Sequence, residues 1–196
     1  MAQATRPDRT AADRLIDATL ESIHRHGLVE TTVTTVTEIA GLSRGMVRHE
    51  FGSKDQMIVE AMSRVCETWL AETEPDPDLS GPEQVRAIVR AMFAPSVYTS
   101  QAIDTWLALS VEARSTPALR RLRDRSQDRW LDQLAAAFAA SDVAEPELAA
   151  VGLLAAADGL WLRQRLDDRA MSRNQALAAT VRIADALLSS SNEEGR

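Results

Sequence analysis

Apolar residues recur every three or four positions along nearly the whole of this chain of 196 residues. No segment alternates apolar and polar residues over several positions, as a half-buried strand would. A spacing of three and four places the apolar side chains on one face of an amphipathic helix. The sequence therefore predicts an all-α protein whose helices each bury one face.

Turn residues divide the periodic segments into nine predicted helices. The first four are predicted from Arg9 to His26, Thr34 to Ala40, Ser43 to about Glu50, and Ser53 to about Glu72. The stretch EPDPDLSGP at 74–82 is a strong cluster of helix breakers. Five more helices are predicted after it, over about 82–93, 95–114, 117–141, 146–168 and 172–190, and the tail SSSNEEGR is expected to fray.

Composition narrows the class of protein. The only cysteine is Cys66, which excludes an intramolecular disulfide. No apolar run approaches the roughly 18 residues that a membrane span requires. The N-terminal stretch MAQATRPDRTAADR also lacks the apolar core of a signal peptide. We therefore expect a cytoplasmic protein with no membrane partner.

The charge is distributed unevenly. Through Lys54 the basic and acidic residues number seven each, so the whole formal net charge of −7 lies downstream. A neutral segment with clustered cations, followed by an acidic bulk, indicates two parts with different partners.

The segment EIAGLSRGMVRHEFGSK, residues 38–54, combines a glycine turn with a cluster of hydrogen-bond donors. Two short helices joined by a three-residue turn at Gly41 form a helix-turn-helix, with a small core predicted at Val36, Ala40, Leu42 and Val47.

The outer side of the second helix is then suited to the major groove, with Ser43 as its N-cap. Lys54 and the amides near Ser53 would bind a phosphate at the start of the next helix. The residues predicted to contact DNA are Thr34, Thr35, Ser43, Arg44, Gly45, Arg48, His49 and Lys54. Alternatively, the arginines form an ordinary solvated face.

The stretch GLVETTVTTVTEIAGLSRGMVRHEFGSKDQMI resembles the TetR family of bacterial transcription regulators. The matching positions are Gly27, Thr31, Thr32, Val33, Ala40, Gly41, Ser43, Gly45, Phe51, Ser53 and Lys54. The resemblance implies an N-terminal three-helix helix-turn-helix domain (1–52), a larger antiparallel helical domain for ligand binding and dimerisation (53–196), and a homodimer.

Three positions depart from the pattern of the family. The family usually has an aromatic residue at the position of Glu50, often another at Arg48, and a small alanine at Thr37. A carboxylate near DNA phosphates is unfavourable unless it accepts from a cytosine amine or pairs with Arg48 or His49. We therefore expect an operator that differs from the common sites of the family.

Two short stretches, ADGLWLRQRL (157–166) and WLALSVEA (106–113), resemble the choline-responsive, BetI-type branch of the same family. This resemblance implies a small inducer, for which a cation is one option.

Aromatic rings beside a carboxylate form a good site for a quaternary ammonium group. The predicted ligand-binding residues are Trp69, Trp106, Glu112, Trp130, Asp158 and Trp161. Two alternatives stay open: the tryptophans are simply core residues, and Asp158 pairs with Arg163 or Arg165.

Residues 146–190 are predicted to form the dimer interface as two helices from each subunit. Small residues in ELAAVGLLAAADGLWL allow a close approach of helices, and ALAATVRIADALL carries an apolar stripe. The predicted interface residues are Gly152, Ala155, Ala156, Leu177, Val181, Ala184 and Leu188. An intramolecular helical hairpin is the alternative.

Catalytic patterns are absent from the sequence. The three histidines all lie before residue 50, and no H-x-x-x-H, C-x-x-C or G-x-S-x-G spacing occurs. We predict no catalytic residue, metal or cofactor. The preferred hypothesis is a ligand-responsive DNA-binding regulator, most often a repressor, that a small-molecule inducer releases from a near-palindromic operator. The alternatives are a helical adaptor that binds no DNA and an enzyme with an unrecognised site.

Overall fold

The computed structural model describes residues 9–167 and 171–189, and these ranges contain nine α-helices and no strand. The helices are α1 (Ala11–His26), α2 (Val33–Ala40), α3 (Arg44–Phe51), α4 (Lys54–Glu72), α5 (Gly81–Met92), α6 (Ser100–Glu112), α7 (Pro117–Ala139), α8 (Pro146–Leu166) and α9 (Arg173–Ser189). The all-α prediction is confirmed. Beyond Ser189, the tail predicted to fray lies outside the described residues.

One predicted helix start is wrong. Helix α6 begins at Ser100 and not at about 95, because the hydroxyl of Thr99 caps the helix by accepting from the amide of Ala102 at 3.1 Å. The residues just before it form a turn, in which the amide of Tyr98 donates to the carbonyl of Ala94 at 2.8 Å.

Side-chain caps also fix the starts of α1 and α2. Thr10 and Asp13 form a reciprocal capping box at α1. The bond from Thr10, together with a bond from Arg64, holds the pKa of Asp13 below its usual value. Thr32 and Thr35 form the corresponding box at α2.

Helices α1 to α3, with the first turn of α4, enclose a small core. Its buried members are Leu15, Ala18, Val36, Ala40, Val47 and Met57, and Leu42 packs against it, which confirms the core predicted for the helix-turn-helix. Gly41 ends α2 in the left-handed conformation at φ 63°. The guanidinium of Arg14 donates to the carbonyl of Ala40 at 2.5 Å, which ties α1 to this turn.

Helices α4 to α9, here called the body, enclose a much larger core. Phe93, Phe138, Leu153 and Trp161 are among its fully buried side chains. Ile23 of α1 joins the same core, so α1 packs against the body as well as against α2. Among the described residues, no helix combines the length and the apolar character that crossing a membrane requires.

Candidate functional site

The outer side of α3 is open to solvent. Arg44, Gly45, Arg48 and His49 are exposed, whereas Val47 on the opposite side is 2% exposed and packs into the small core. The helix therefore presents two guanidinium groups and an imidazole on one surface, as the sequence predicts.

Ser43 occupies the N-cap position of α3, but its hydroxyl makes no capping hydrogen bond within the described part of the chain. The predicted N-cap position of Ser43 is therefore confirmed, although its hydroxyl does not bond to the first turn. By contrast, the hydroxyl of Ser53 caps α4 by accepting from the amide of Gln56 at 3.1 Å.

Two of the predicted contact residues have local structural partners. The hydroxyl of Thr35 accepts from the amide of Thr32 at 2.9 Å within the capping box of α2, whereas its neighbour Thr34 is half-buried. The ammonium of Lys54 donates to the carbonyl of Thr31 at 3.2 Å and so ties the start of α4 to the turn before α2. Lys54 therefore fixes the position of the helix-turn-helix in addition to any contact with a ligand.

The unusual Glu50 has a partner on its own helix. Its Oε1 lies 3.0 Å from Nδ1 of His49, so the structure favours the predicted pairing with histidine over one with Arg48. Because a carboxylate only accepts hydrogen bonds, Nδ1 of His49 carries a proton in this contact, and Nε2 is the ring nitrogen left for other contacts.

The four tryptophans come together inside the body. The ring centroid of Trp161 lies 5.3 Å from that of Trp69 and 6.2 Å from that of Trp106, both in edge-to-face arrangements. Trp69 also lies 6.1 Å from Trp130. Helices α4, α6, α7 and α8 thus each contribute one ring to a single cluster.

A small cavity adjoins this cluster. It has a volume of about 30 Å³, which is room for about one water molecule. Four of the predicted ligand-binding residues line it: Trp69, Trp106, Trp130 and Asp158. The lining also includes residues that the sequence did not predict: Cys66, Arg123, Ser126 and Gln127. The last three lie at helical spacing from Trp130 on one face of α7, which is the signal that could have found them.

Asp158 is a half-buried residue whose carboxyl group lines the cavity. Burial raises its pKa to about 6. The predicted alternative partners are engaged elsewhere, Arg163 with Asp167 at 3.2 Å and Arg165 with Asp104 at 2.7 Å, and no ion pair of Asp158 occurs within 9–167 and 171–189. The alternative that assigned Asp158 to one of these arginines is therefore wrong.

Glu112 does not join the tryptophan cluster. Its Oε1 accepts from the hydroxyls of Ser115 and Thr116 at 3.0 Å each, and it lines a separate cleft beside Lys54. Six residues along a helix correspond to a rotation of roughly 240°, so Glu112 points away from the side of α6 that carries Trp106.

Two indole N–H groups in the cluster lack protein partners. Nε1 of Trp130 and Nε1 of Trp161 are buried without a hydrogen-bond partner among the described residues. An unpaired buried donor is costly, and in native structures it commonly marks the place of a water molecule or a ligand.

The apolar stripe predicted on α9 faces inward. Ala184 is 0% exposed, and Leu177, Val181 and Leu188 pack against the core of their own subunit. A role of this stripe in a dimer interface stays a prediction, because the spacing of apolar residues shows that one face is buried but not what else covers it.

Among the described helices, α8 carries the most exposed large apolar side chains, and on it Gly152 and Ala155 are also exposed and Ala156 is half-buried. We define the α8 stripe as the exposed residues at spacings of three and four along this helix: Leu148, Val151, Gly152, Ala155, Gly159, Leu162 and Leu166. Val151 is 50% and Leu166 73% exposed in the single chain. Such an apolar face is typical of a protein interface.

The packed helix-turn-helix, with its exposed cationic face, and the helical body are together the features of a DNA-binding transcriptional regulator. Two family profiles match the chain: "Bacterial regulatory proteins, tetR family" over residues 15–61, and "BetI-type transcriptional repressor, C-terminal" over residues 82–189. The chain belongs to the TetR family of DNA-binding transcriptional regulators, with a C-terminal region of the BetI type.

Individual relatives agree with this assignment. The HTH-type transcriptional regulator BetI of Burkholderia cenocepacia (strain HI2424) is 36% identical over 185 residues, covering 90% of this chain and 93% of the relative. A transcriptional regulator from Rhodococcus sp. Rha1 has a similar fold, with a TM-score of 0.83 at 24% identity, covering 92% of this chain and 97% of the other. A regulator from Saccharomonospora viridis, solved in complex with choline, has a TM-score of 0.79 at 19% identity, covering 89% and 95%.

The partly buried carboxyl of Asp158 should lower stability as the pH rises. Because its pKa in the folded protein lies above the value of an unfolded aspartate, the folded state binds more protons between about pH 4 and 6. We expect the unfolding free energy of the wild type, relative to Asp158→Asn, to fall by about 2 to 3 kcal/mol between pH 3.5 and pH 7.5. Urea unfolding of both proteins at the two pH values measures this difference.

The matched control is Asp185→Asn, because Asp185 is a surface carboxylate paired with Arg86. Its relative stability should change by less than about 1 kcal/mol over the same range. An Asp158→Asn difference that is equal at both pH values would show that the carboxyl is not desolvated.

Proposed function

We propose that this regulator is a homodimeric, ligand-responsive repressor that a small-molecule inducer releases from a near-palindromic operator. The observation that supports DNA recognition most directly is the exposed face of α3, with Arg44, Arg48 and His49 on the outside of a rigidly packed helix-turn-helix. Residues 1–52 form the DNA-binding domain and 53–196 the effector and dimerisation domain. Cytoplasmic location follows from the DNA partner, and no catalytic role is assigned.

In the proposed complex, α3 of each subunit enters one of two successive major grooves. Arg48 contacts base edges, with Arg44 and His49 beside it. Gly45 allows the backbone of α3 to approach the DNA closely. The residues that face the phosphate backbone are Thr34, Thr35, Ser43 and Lys54. The bond from Lys54 to Thr31 holds the start of α4, and thereby its free amides, in place for a phosphate.

The proposed effector is a small organic cation that binds in the tryptophan cluster. Three tryptophan rings line the same cavity as Asp158, and cation–π attraction contributes roughly 0.5 to 2 kcal/mol per ring. Choline is the natural first probe, since a regulator of the same fold binds it. A cavity of about 30 Å³ is smaller than choline, so the lining helices must separate when the ligand enters.

Ligand entry would then act on DNA binding through a shift between two conformations. An effector that prefers the separated arrangement lowers operator affinity by as much as its affinities for the two states differ. Separation of the lining helices changes the distance between the two DNA-binding units of a dimer, and a fixed operator tolerates only one spacing.

The α8 stripe is proposed to form the dimer interface, together with Ile183, which is 37% exposed on α9. Gly152, Gly159 and Ala155 allow two copies of α8 to approach closely, and the larger side chains at both ends seal the contact. The symmetric arrangement places four helices, α8 and α9 of each subunit, in one bundle.

We expect substitutions of Arg48 and Lys54 to weaken DNA binding in different ways. Arg48→Ala should reduce the preference for operator over random DNA by about 1 to 3 kcal/mol, because a base contact is lost. Lys54→Ala should weaken binding to both duplexes and lower the salt slope by about one unit, because a phosphate contact is lost. Fluorescence anisotropy titrations at two salt concentrations measure both effects, with an operator duplex enriched from a random pool.

Arg90→Ala is the matched control, since Arg90 is an exposed arginine on α5, outside the helix-turn-helix. It should leave both affinities unchanged within twofold. If no duplex is enriched from the pool, the chain is not a sequence-specific regulator and the adaptor alternative gains support. Equal losses on both duplexes from Arg48→Ala would contradict its role in base recognition.

The cavity carboxyl predicts that choline affinity depends on pH. At pH 5 Asp158 in the free protein is largely protonated, whereas a bound cation favours the ionised form, so binding must release a proton. We expect the Kd for choline to be about tenfold higher at pH 5 than at pH 8, and Asp158→Asn to abolish this difference.

Isothermal titration calorimetry in two buffers of different ionisation enthalpy measures both the affinity and the released proton. The control Asp185→Asn should keep the pH dependence. Choline binding with the same Kd at both pH values would remove Asp158 from the site, and the absence of choline binding at either pH would reject this cation as the effector.

The α8 stripe predicts that one substitution dissociates the dimer. Val151→Glu places a carboxylate from each subunit in the apolar contact, which costs several kcal/mol because neither charge has a partner. We expect the dimer Kd to rise at least 100-fold in sedimentation equilibrium. Val111→Glu is the control, since Val111 is 69% exposed on α6, away from the stripe. A Val151→Glu protein that stays dimeric would place the interface elsewhere.

A further inference from the structure

Three helices meet at the carboxylate of Asp104 on α6. Arg165 of α8 donates to it with two nitrogens, Nε to Oδ1 at 2.7 Å and a terminal nitrogen to Oδ2 at 3.0 Å. His24 of α1 approaches the same carboxylate, with Nδ1 2.6 Å from Oδ2. Bidentate pairing with arginine is a strong and directional form of ion pair, so the relative positions of the three helices are fixed at this point.

The ion pairs at Asp104 are partly buried, so their attraction is stronger than that of an ordinary surface pair. The side chain of Asp104 is 17% exposed, and those of His24 and Arg165 are 31% and 34% exposed. Solvent and salt screen such a partly buried pair less than a fully exposed one. One turn earlier on α6, the amide of Gln101 donates to Glu21 of α1 at 3.0 Å, so two polar contacts join these helices in parallel.

Helices α6 and α8 connect the carboxylate of Asp104 to the tryptophan cavity. Two positions after Asp104, helix α6 carries Trp106, which lines the cavity. On α8, Asp158, Trp161 and Arg165 follow one another at spacings of three and four, so they share one face. Helices α6 and α8 therefore each contribute a ring to the cluster, and a shift of either helix changes the contact between Asp104 and α1.

We propose that Asp104 is a positioning residue that couples the effector cavity to the DNA-binding unit by linking α6 and α8 to His24 of α1. The inference rests on the proposed function, because it requires a chain that binds an operator. Separation of α6 from α8 disturbs the arrangement of Arg165 and Asp104, and α1 carries that change to the recognition helix through the core it shares with α2 and α3.

Helix α4 offers a competing route between the two parts. Arg64 of α4 pairs with Asp13 of α1 at 2.8 Å, but these side chains are 43% and 35% exposed. Exposed pairs contribute about 0 to 1 kcal/mol and hold a weakly defined geometry. Asp104 is therefore the stronger of the two links, and the two routes are separable by substitution.

The coupling is measurable without knowledge of the effector. Linkage is reciprocal, so operator binding to the helix-turn-helix must alter the cavity if the cavity controls operator binding. All four tryptophans lie between residues 69 and 161, and none lies in the helix-turn-helix. Acrylamide quenching of tryptophan fluorescence, with and without an operator duplex enriched from a random pool, therefore reports the response of the body to DNA.

Asp104→Asn removes the charge and keeps the shape of the side chain. We expect operator binding to change the quenching constant of the wild type, and this change to fall by at least half in Asp104→Asn measured at saturating DNA. Arg165→Gln removes the other member of the ion pair and should produce the same loss. It serves as the second variant if circular dichroism shows that Asp104→Asn does not fold. The matched control Asp185→Asn breaks the α5–α9 pair with Arg86 and should keep the full response.

The outcomes separate the inference from the proposed function. An unchanged response in Asp104→Asn, or a loss in Asp13→Asn alone, overturns the inference in favour of the α4 route. A wild type that binds the operator with no change in quenching also overturns it. A wild type that enriches no duplex from the pool refutes the proposed function, and the inference with it.

Discussion

The packing of α1 on both sides is the interaction on which the rest of the structure depends. Its N-terminal half contributes Leu15 and Ala18 to the small core of the helix-turn-helix, whereas Ile23 near its end belongs to the large core of the body. Interiors are close-packed, so a rigid helix shared by two cores cannot shift against one without disturbing the other. Arg14 and Lys54 add bonds to the carbonyls of Ala40 and Thr31, which hold the turns around α2 at fixed distances from α1 and α4.

The sequence predicted best what depends on neighbouring residues. The turn at Gly41, the core of the helix-turn-helix and the exposed face of α3 all follow from helical spacing over a few residues, and the structure has them where they were expected. The sequence predicts a start of α6 at about residue 95, whereas the cap formed by Thr99 starts this helix at Ser100. The distance along the chain places Glu112 near Trp106 in the predicted ligand site. Its angle around α6 instead directs the side chain to the cleft beside Lys54.

Contacts between distant segments were harder to predict, for a physical reason. A periodic apolar face shows that a helix is covered, and it carries no information about the partner. The face of α9 around Ala184 is therefore covered by its own subunit, whereas the α8 stripe remains open. Asp104 lies 80 positions from His24 and 61 positions from Arg165 in the chain, so no local sequence pattern predicts this cluster.

The charge distribution explains how a chain with a net charge of −7 can approach a polyanion. The excess negative charge lies beyond Lys54, and at physiological ionic strength charges separated by more than about 8 Å are largely screened. In the proposed complex, DNA docked on α3 would interact mainly with Arg44 and Arg48 nearby, while the acidic body would disfavour other orientations. Acidity in the body and cationic groups on α3 are thus compatible, and together they favour a single docking face.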